Sequence, residues 1–299
     1  MAFEVVRSNS AEVLFRALCL MLDDRRDRYL IEPETVVVQG KGMERWLTMQ
    51  FAQTNGVHAN IRYPFPAHVG RRAVELALSL EKDATEKWSP GPLIWQVWEA
   101  LESCIDEPLF APIREYLASD DTGRRRLQLV RQLARMFDDY NLYRPDWMVD
   151  WLTPGGGPED DWQPVLWRAL TQRIETPSLG ALEADFHERM LQEDIADPLV
   201  GLPDTLFFFG VAALPPIHLR LLRTVSKWRR LVWFLLEPTD AYYGDVRSKK
   251  EVAWLKSLVD LGPDIEQHHD VGHPLLGSLG RSRREFQASL SEVGIGLGA

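Results

Sequence analysis

Two hydrophobic periods alternate along the first seventy residues. Phe3 to Val6 is a short apolar run, and Asn9 then stands as an N-cap with Glu12 at the third helical position, the spacing of a capping box. Val13, Leu14, Ala17, Leu18, Met21 and Leu22 follow at helical spacing, so a helix succeeds the strand. Thr35-Val36-Val37-Val38 is β-branched throughout and does not alternate, which predicts a strand covered on both faces. Gly40 and Gly42 punctuate it before a second helix that carries Met43, Trp46, Leu47 and Phe51 on one face. Asn60-Ile61-Arg62-Tyr63 makes a third strand, ended by Pro64 and Pro66. Strand–helix–strand–helix at this pitch predicts a parallel α/β sheet.

From Ala67 to Leu199 the period is helical, broken by Pro and Gly. Helices are expected at Ala67–Leu80, Leu93–Ile105, Phe110–Ala118, Arg124–Asp139, Trp162–Ile174 and Ala181–Leu191, with the Pro154-Gly-Gly-Gly-Pro158 stretch as a loop. Strand signals return in Thr205-Leu-Phe-Phe-Phe209 and Leu231-Val-Trp-Phe-Leu-Leu236, with a helix expected from Ile217 to Trp228 between them. The economical arrangement is an α/β domain assembled from residues 1–70 and 200–299, with an all-helical domain, residues 71–199, inserted between. The tail Gly294-Ile-Gly-Leu-Gly-Ala299 carries no capping or packing signal, as expected of an α/β domain cut before its end.

Composition narrows the function classes. Thirty-four Lys and Arg against forty-four Asp and Glu leave a net charge of −10, which excludes a polybasic protein that binds through bulk charge. A local basic lining remains compatible with it. No run reaches the roughly 18 apolar residues of a membrane span, and Met1-Ala-Phe-Glu-Val-Val-Arg7 lacks a signal-peptide layout. Cys19 and Cys104 are the only cysteines, so a disulfide framework is excluded and a reducing cytoplasm is expected. The eleven tryptophans, concentrated between Trp88 and Trp167, read first as core anchors.

An α/β domain with a helical insertion raises the question of nucleotide hydrolysis, and the residues that chemistry needs are missing. A phosphate cradle requires a Gly-rich turn followed by Lys-Ser/Thr between strand and helix. Arg7-Ser-Asn-Ser10 has neither, and Gly40-Lys-Gly-Met43 ends in a side chain that does not bind Mg²⁺. The acidic pair expected at the end of a later strand is replaced by Gly210-Val-Ala-Ala213. His268, His269, Asp270 and His273 lie in a Gly/Pro-rich stretch without helical pairing and read as a solvated loop, so no metal or other cofactor is expected. Asp138-Asp139 reads as a solvated helix end. One polar pattern stands out. Arg124, Gln128, Arg131, Arg135 and Asp138 recur at spacings of four, three, four and three, opposite the core face of Leu127, Val130, Leu133 and Phe137. Lys41, Arg45 and Thr48 make a similar row on the helix after Val38. Such rows suit a groove that follows a nucleic-acid strand, although spacing alone reads first as an ordinary solvated helix face.

Six ordered segments resemble the N-terminal part of the RecC family, the gamma subunits of exodeoxyribonuclease V. They are Val38-Gln-Gly-Lys-Gly-Met-Glu-Arg-Trp-Leu47, Ala59-Asn-Ile-Arg-Tyr-Pro-Phe-Pro66, Phe137-Asp-Asp-Tyr-Asn-Leu-Tyr-Arg-Pro-Asp-Trp147, Phe209-Gly-Val-Ala-Ala-Leu-Pro-Pro216, Pro238-Thr-Asp-Ala-Tyr-Tyr-Gly-Asp245 and Gly272-His-Pro-Leu-Leu276. The resemblance implies a RecA-like domain of inactive superfamily-1 helicase type with a helical insertion, lacking catalytic residues of its own. It implies a DNA-binding scaffold in a RecBCD-type complex that guides the unwound 3′-ended strand and scans it for Chi during double-strand-break repair. The implied partners are single-stranded and unwound double-stranded DNA, a RecB-type helicase–nuclease subunit and a RecD-type helicase subunit. Family scanning positions fall on Gln39, Lys41, Arg45, Phe65, Asp138 and Arg144, while Arg71 and Arg135 stand where a Trp and an Asp are expected. Added cations strengthen phosphate contact but carry no base code. Family members are several times longer, so the chain is expected to be a fragment, a truncated product or an expression segment. The rival reading is a protein-interaction module that docks the helicase subunit without contacting DNA.

Overall fold

A computed structural model describes residues 3–25, 32–192, 196–239, 243, 246, 250, 253 and 280–295. His268, His269, Asp270, His273, the Gly272–Leu276 segment and most of Pro238–Asp245 lie outside the described residues. The chain forms two compact units. Met1–Pro66, Pro203–Leu214 and Val225–Ala299 make the first, and Ala67–Leu202 with Pro215–Thr224 make the second.

The first unit is built on five parallel strands: β1 (Phe3–Ser8), β2 (Glu34–Val38), β3 (Ile61–Arg62), β4 (Thr205–Phe209) and β5 (Arg230–Leu236), in the order β1-β5-β4-β2-β3. The continuous apolar runs become the central strands. Val36 faces Phe207 across one ladder and Phe207 faces Val232 across the next, and β4 is buried along its whole length. Burial on both faces explains the missing alternation, yet the pleat still sorts the side chains. Val36, Val38, Phe207, Phe209, Val232 and Phe234 share a core with Leu14, Phe15 and Leu18 of helix α1 (Ala11–Asp23) and with Leu47 and Phe51 of α2 (Lys41–Asn55). Phe208 points the other way and stacks on Trp233 at 4.6 Å, and Trp233 in turn meets Phe286 of the last described helix.

Local details differ from the periodicity. The N-cap of α1 is Ser10, not Asn9: Ser10 is extended, and its Oγ accepts from the Val13 N–H at 3.3 Å. Val13 is exposed and Phe15 is in the core, so the buried face is Leu14, Phe15, Leu18 and Leu22. The third strand shrinks to two residues because only Glu34 and Thr35 of β2 pair with it.

The second unit contains helices and no strand among its described residues. These are α3 (Pro66–Ala77), α4 (Pro90–Cys104), α5 (Ala111–Leu117), α6 (Arg124–Tyr143), α7 (Pro145–Asp150), α8 (Trp162–Arg173), α9 (Leu179–Leu191) and α10 (Pro216–Val225). Their core gathers Leu93, Val97, Leu101, Phe110, Val130, Leu133, Phe137 and Leu170 around Trp167, whose indole N–H donates to the Met148 carbonyl at 2.9 Å. Helix α6 runs one turn past Asp139, since Asn141 is buried and bonds back to the Phe137 carbonyl, and Pro145 stops it. Pro145 then opens α7, a six-residue helix that periodicity over so short a span does not reveal. Helix α10 ends at Val225 rather than Trp228. Its residues up to Thr224 belong with the helical unit, because their polar groups are answered on α9: Arg220 bonds both carboxylate oxygens of Glu183 at 2.5 and 2.8 Å, and the Thr224 hydroxyl sits 2.8 Å from His187 Nδ1.

Candidate nucleic-acid interface

In the α/β unit the candidate residues gather where the strands end. Gln39 follows β2 directly, and the Val38 N–H donates to the Pro64 carbonyl at 3.1 Å, which brings Phe65 beside the start of α2. Lys41 opens that helix. Its ammonium lies 6.0 Å from the centre of the half-buried Phe65 ring and bonds the Glu44 carboxylate at 2.7 Å, while its side chain stays 77 % exposed. Arg45, one turn along, is exposed and has no ion pair among the described residues. The carboxyl ends of parallel strands are where α/β proteins bind ligands. A cation above an aromatic ring at that edge can neutralise a phosphate and offer a face to an unstacked base.

Gln39 lies exposed at the same edge and is bonded to a second segment of the chain. Its Nε2 donates to the Ala213 carbonyl at 2.9 Å and its Oε1 accepts from the Ala212 N–H at 3.0 Å, so both ends of the amide are engaged with the loop after β4. The same loop is held by the Gly210 N–H donating to the Phe234 carbonyl at 3.2 Å and by the Trp233 indole N–H donating to the Val211 carbonyl at 3.0 Å. Gly210 is needed there: its φ is +67°, and a Cβ at that position would sit 2.8 Å from Met43 Cε.

In the helical unit the row on α6 is solvent-facing as spaced. Arg124, Gln128, Arg131 and Arg135 are exposed, and Asp138 is half-buried at the row's end. Burial, then the neighbouring Asp139, pushes the Asp138 carboxyl up to about 6, with Arg71 opposing. Arg71 is committed to an ion pair with Glu86 at 2.8 Å and is largely buried, so it positions structure more than it offers charge. Arg144 joins α6 to α7: its N–H donates to the Tyr140 carbonyl at 2.7 Å and its carbonyl accepts from the Trp147 N–H at 3.1 Å. Its guanidinium lies 5.1 Å over the Trp147 ring, which Tyr140 braces edge-on at 5.8 Å. Trp147 and Tyr143 are exposed aromatic surface beside it. Neither was legible as a site residue, since a Trp is first of all a core residue, and the burial of Trp167 and the exposure of Trp147 follow from packing alone.

Among the described residues no group of three or more His, Cys, Asp or Glu side chains is placed to hold a metal ion, and no helix is long and apolar enough to cross a membrane.

Comparison with known proteins agrees with the ordered segments read above. The family described as "RecC, N-terminal domain" matches residues 3–296. The RecBCD enzyme subunit RecC of Escherichia coli K12 is 30% identical over 97% of this chain, and that of Mycolicibacterium smegmatis is 30% identical over 98%. The RecC subunit of Haemophilus influenzae is 24% identical over 95%. The chain spans 28%, 26% and 30% of the lengths of these three relatives. With its family matched from β1 through the last described helix, the chain belongs to the RecC N-terminal domain family.

Proposed function

We propose that this chain is a non-catalytic, DNA-contacting part of a RecBCD-type helicase–nuclease, one that guides an unwound single strand and takes part in scanning it for Chi. In this reading the α/β unit is a RecA-like domain of inactive superfamily-1 helicase type, the helical unit is its insertion, and RecB-type and RecD-type subunits supply ATP hydrolysis and nuclease chemistry in the cytoplasm. The observation that carries the reading is the placement of Lys41 and Arg45 on α2 at the carboxyl edge of the sheet, with Lys41 above Phe65. The Arg144–Trp147 pair and the exposed row on α6 supply the same chemistry within the helical unit. The non-catalytic part of the reading is supported by the junction between β1 and α1. It is two residues long, Asn9 and Ser10, where a phosphate cradle needs a longer Gly-rich turn ending in Lys-Ser/Thr.

The test is single-strand binding by the purified chain at two or more salt concentrations. Wild-type affinity is expected to fall steeply with salt. The Lys41→Ala/Arg45→Ala/Arg144→Ala variant is expected to bind more weakly, with a salt slope shallower by about 2, from roughly 0.7 per lost phosphate contact. Unchanged affinity and slope in that variant would remove these residues from the interface.

A second reading is favoured by a specific observation: Trp95 is 62% exposed on α4, beside acidic Glu99 and Glu102. A module that docks the helicase subunit would use such a surface. It predicts no single-strand affinity at any salt, and subunit binding that is lost with Trp95→Ala.

A further inference from the structure

The loop after β4 and Gln39 together point to a division of labour at the sheet edge. Four successive residues, Gly210 to Ala213, each have a backbone group fixed from within the α/β unit. Gly210 is held by the Phe234 carbonyl, Val211 by the Trp233 indole, and Ala212 and Ala213 by the two ends of the Gln39 amide. Gly210 adopts a left-handed backbone conformation with Met43 of α2 packed against its face. The side chains at Ala212 and Ala213 are single methyl groups, and Ala213 is exposed. This is a small-residue loop, made rigid through its main chain and held beside the first turn of α2, where Lys41 stands.

We propose that Gln39 is a positioning residue for strand binding: its side-chain amide clamps the Gly210–Ala213 loop and so sets the surface beside Lys41, without touching the strand itself. Gln39 spends both hydrogen-bonding ends on that clamp. Bidentate reading of a base through the amide edge that faces the loop would compete with both of these bonds, so a strand contact by Gln39 and the clamp trade against each other. The inference rests on the strand-guiding reading above and refines one residue within it.

The test uses the full chain and two independent ways of loosening the loop. Gln39→Met keeps the length of the side chain and removes both hydrogen bonds. Gly210→Ala leaves Gln39 in place and forces a Cβ against Met43 in an unfavourable backbone conformation. Amide exchange at Ala212 is expected to quicken roughly five- to tenfold in Gln39→Met, the loss of about one net hydrogen bond. Each variant is expected to weaken single-strand binding several-fold with the salt slope unchanged, because no phosphate-neutralising group is lost. The double variant should bind no more weakly than the weaker single one, since both act through the same loop. Additive losses in the double variant, or unaltered Ala212 exchange in Gln39→Met, would overturn the proposal in favour of direct contact by Gln39. Absence of binding by the wild-type chain would instead defeat the strand-guiding reading and the role given to Gln39 within it, while the exchange measurement would still report whether the clamp exists. Melting curves for all variants separate loop effects from loss of fold.

Discussion

The two units offer cations to solvent in contrasting ways. At the sheet edge there are few, and their surroundings are tied down: Lys41 bonds Glu44 and lies against Phe65, and the neighbouring loop is clamped through Gln39. On α6 the charges are many and unconstrained, with Arg124, Arg131 and Arg135 exposed along one side. A fixed group can select geometry, because little is lost in ordering it on binding. A solvated row supplies attraction that salt screens. The contrast therefore separates a part suited to orienting a strand from a part suited to attracting it, and three experiments bear on it.

The largest effect expected is structural. Trp167 is fully buried, with Trp88 at 4.9 Å and Phe137 at 5.5 Å, so Trp167→Ala should cost about 3–5 kcal/mol of stability in the helical unit. Hydrogen exchange should show α4, α6 and α8 losing protection while β4 and β5 retain theirs. Equal loss in the strands would mean that the two units unfold as one block and would dissolve the comparison.

Of intermediate size is the division of electrostatics. Arg131→Ala/Arg135→Ala and Lys41→Ala/Arg45→Ala should each reduce the salt slope of single-strand binding by about 1.4, two contacts at roughly 0.7 each. Only the sheet-edge pair should also lower the affinity extrapolated to high salt, because without Lys41 the Phe65 ring loses the side chain that lies against it and is less well held to receive a base, a contribution salt does not screen. Identical behaviour of the two variants would erase the distinction between orienting and attracting.

The smallest effect concerns pH. Asp138 is held near 6 by burial and by Asp139, against an ordinary value of 3.8. Between those two values the native chain keeps a proton that the unfolded chain has released. The contribution of Asp138 to stability is therefore greatest below pH 4 and declines as pH rises through 6. Asp138→Asn should accordingly stabilise the helical unit by about 1 kcal/mol at pH 7, a modest gain because solvent reaches the group. The gain should vanish by pH 4. Denaturation at the two pH values measures it, and a destabilised Asn variant at pH 7 would show that Arg71 outweighs burial.

Much of this architecture is legible in the amino-acid sequence. The runs at Val36–Val38, Thr205–Phe209 and Leu231–Leu236 are apolar on both faces, and only a strand covered on both sides tolerates that. The row on α6 was equally plain, since a helix that long repeats its period often enough to fix which side is wet. What escaped were short features, the shift of the cap from Asn9 to Ser10 and the six-residue α7, and one set by distant contacts, the grouping of α10 with the helical unit. A cap depends on the backbone angles at a single residue, and α7 is shorter than two helical turns, so neither has a period to detect.

For the candidate site the division is sharper. Residue types and their spacing were sufficient to establish a mixed α/β chain, to place Lys41 and Arg45 at the start of a helix after a buried strand, and to show that phosphate-cradle and acidic-pair motifs are missing. These properties are local, and nearest-neighbour chemistry carries them. Which polar groups remain free for a partner was decided only by the tertiary structure. Gln39 meets Ala212 and Ala213 across more than 170 residues of chain, Arg71 is taken by Glu86, and Trp147 is exposed while Trp167 is buried. A hydrogen bond satisfied by a distant segment leaves no trace in either stretch of sequence, because the donor and acceptor look the same whether or not folding brings them together.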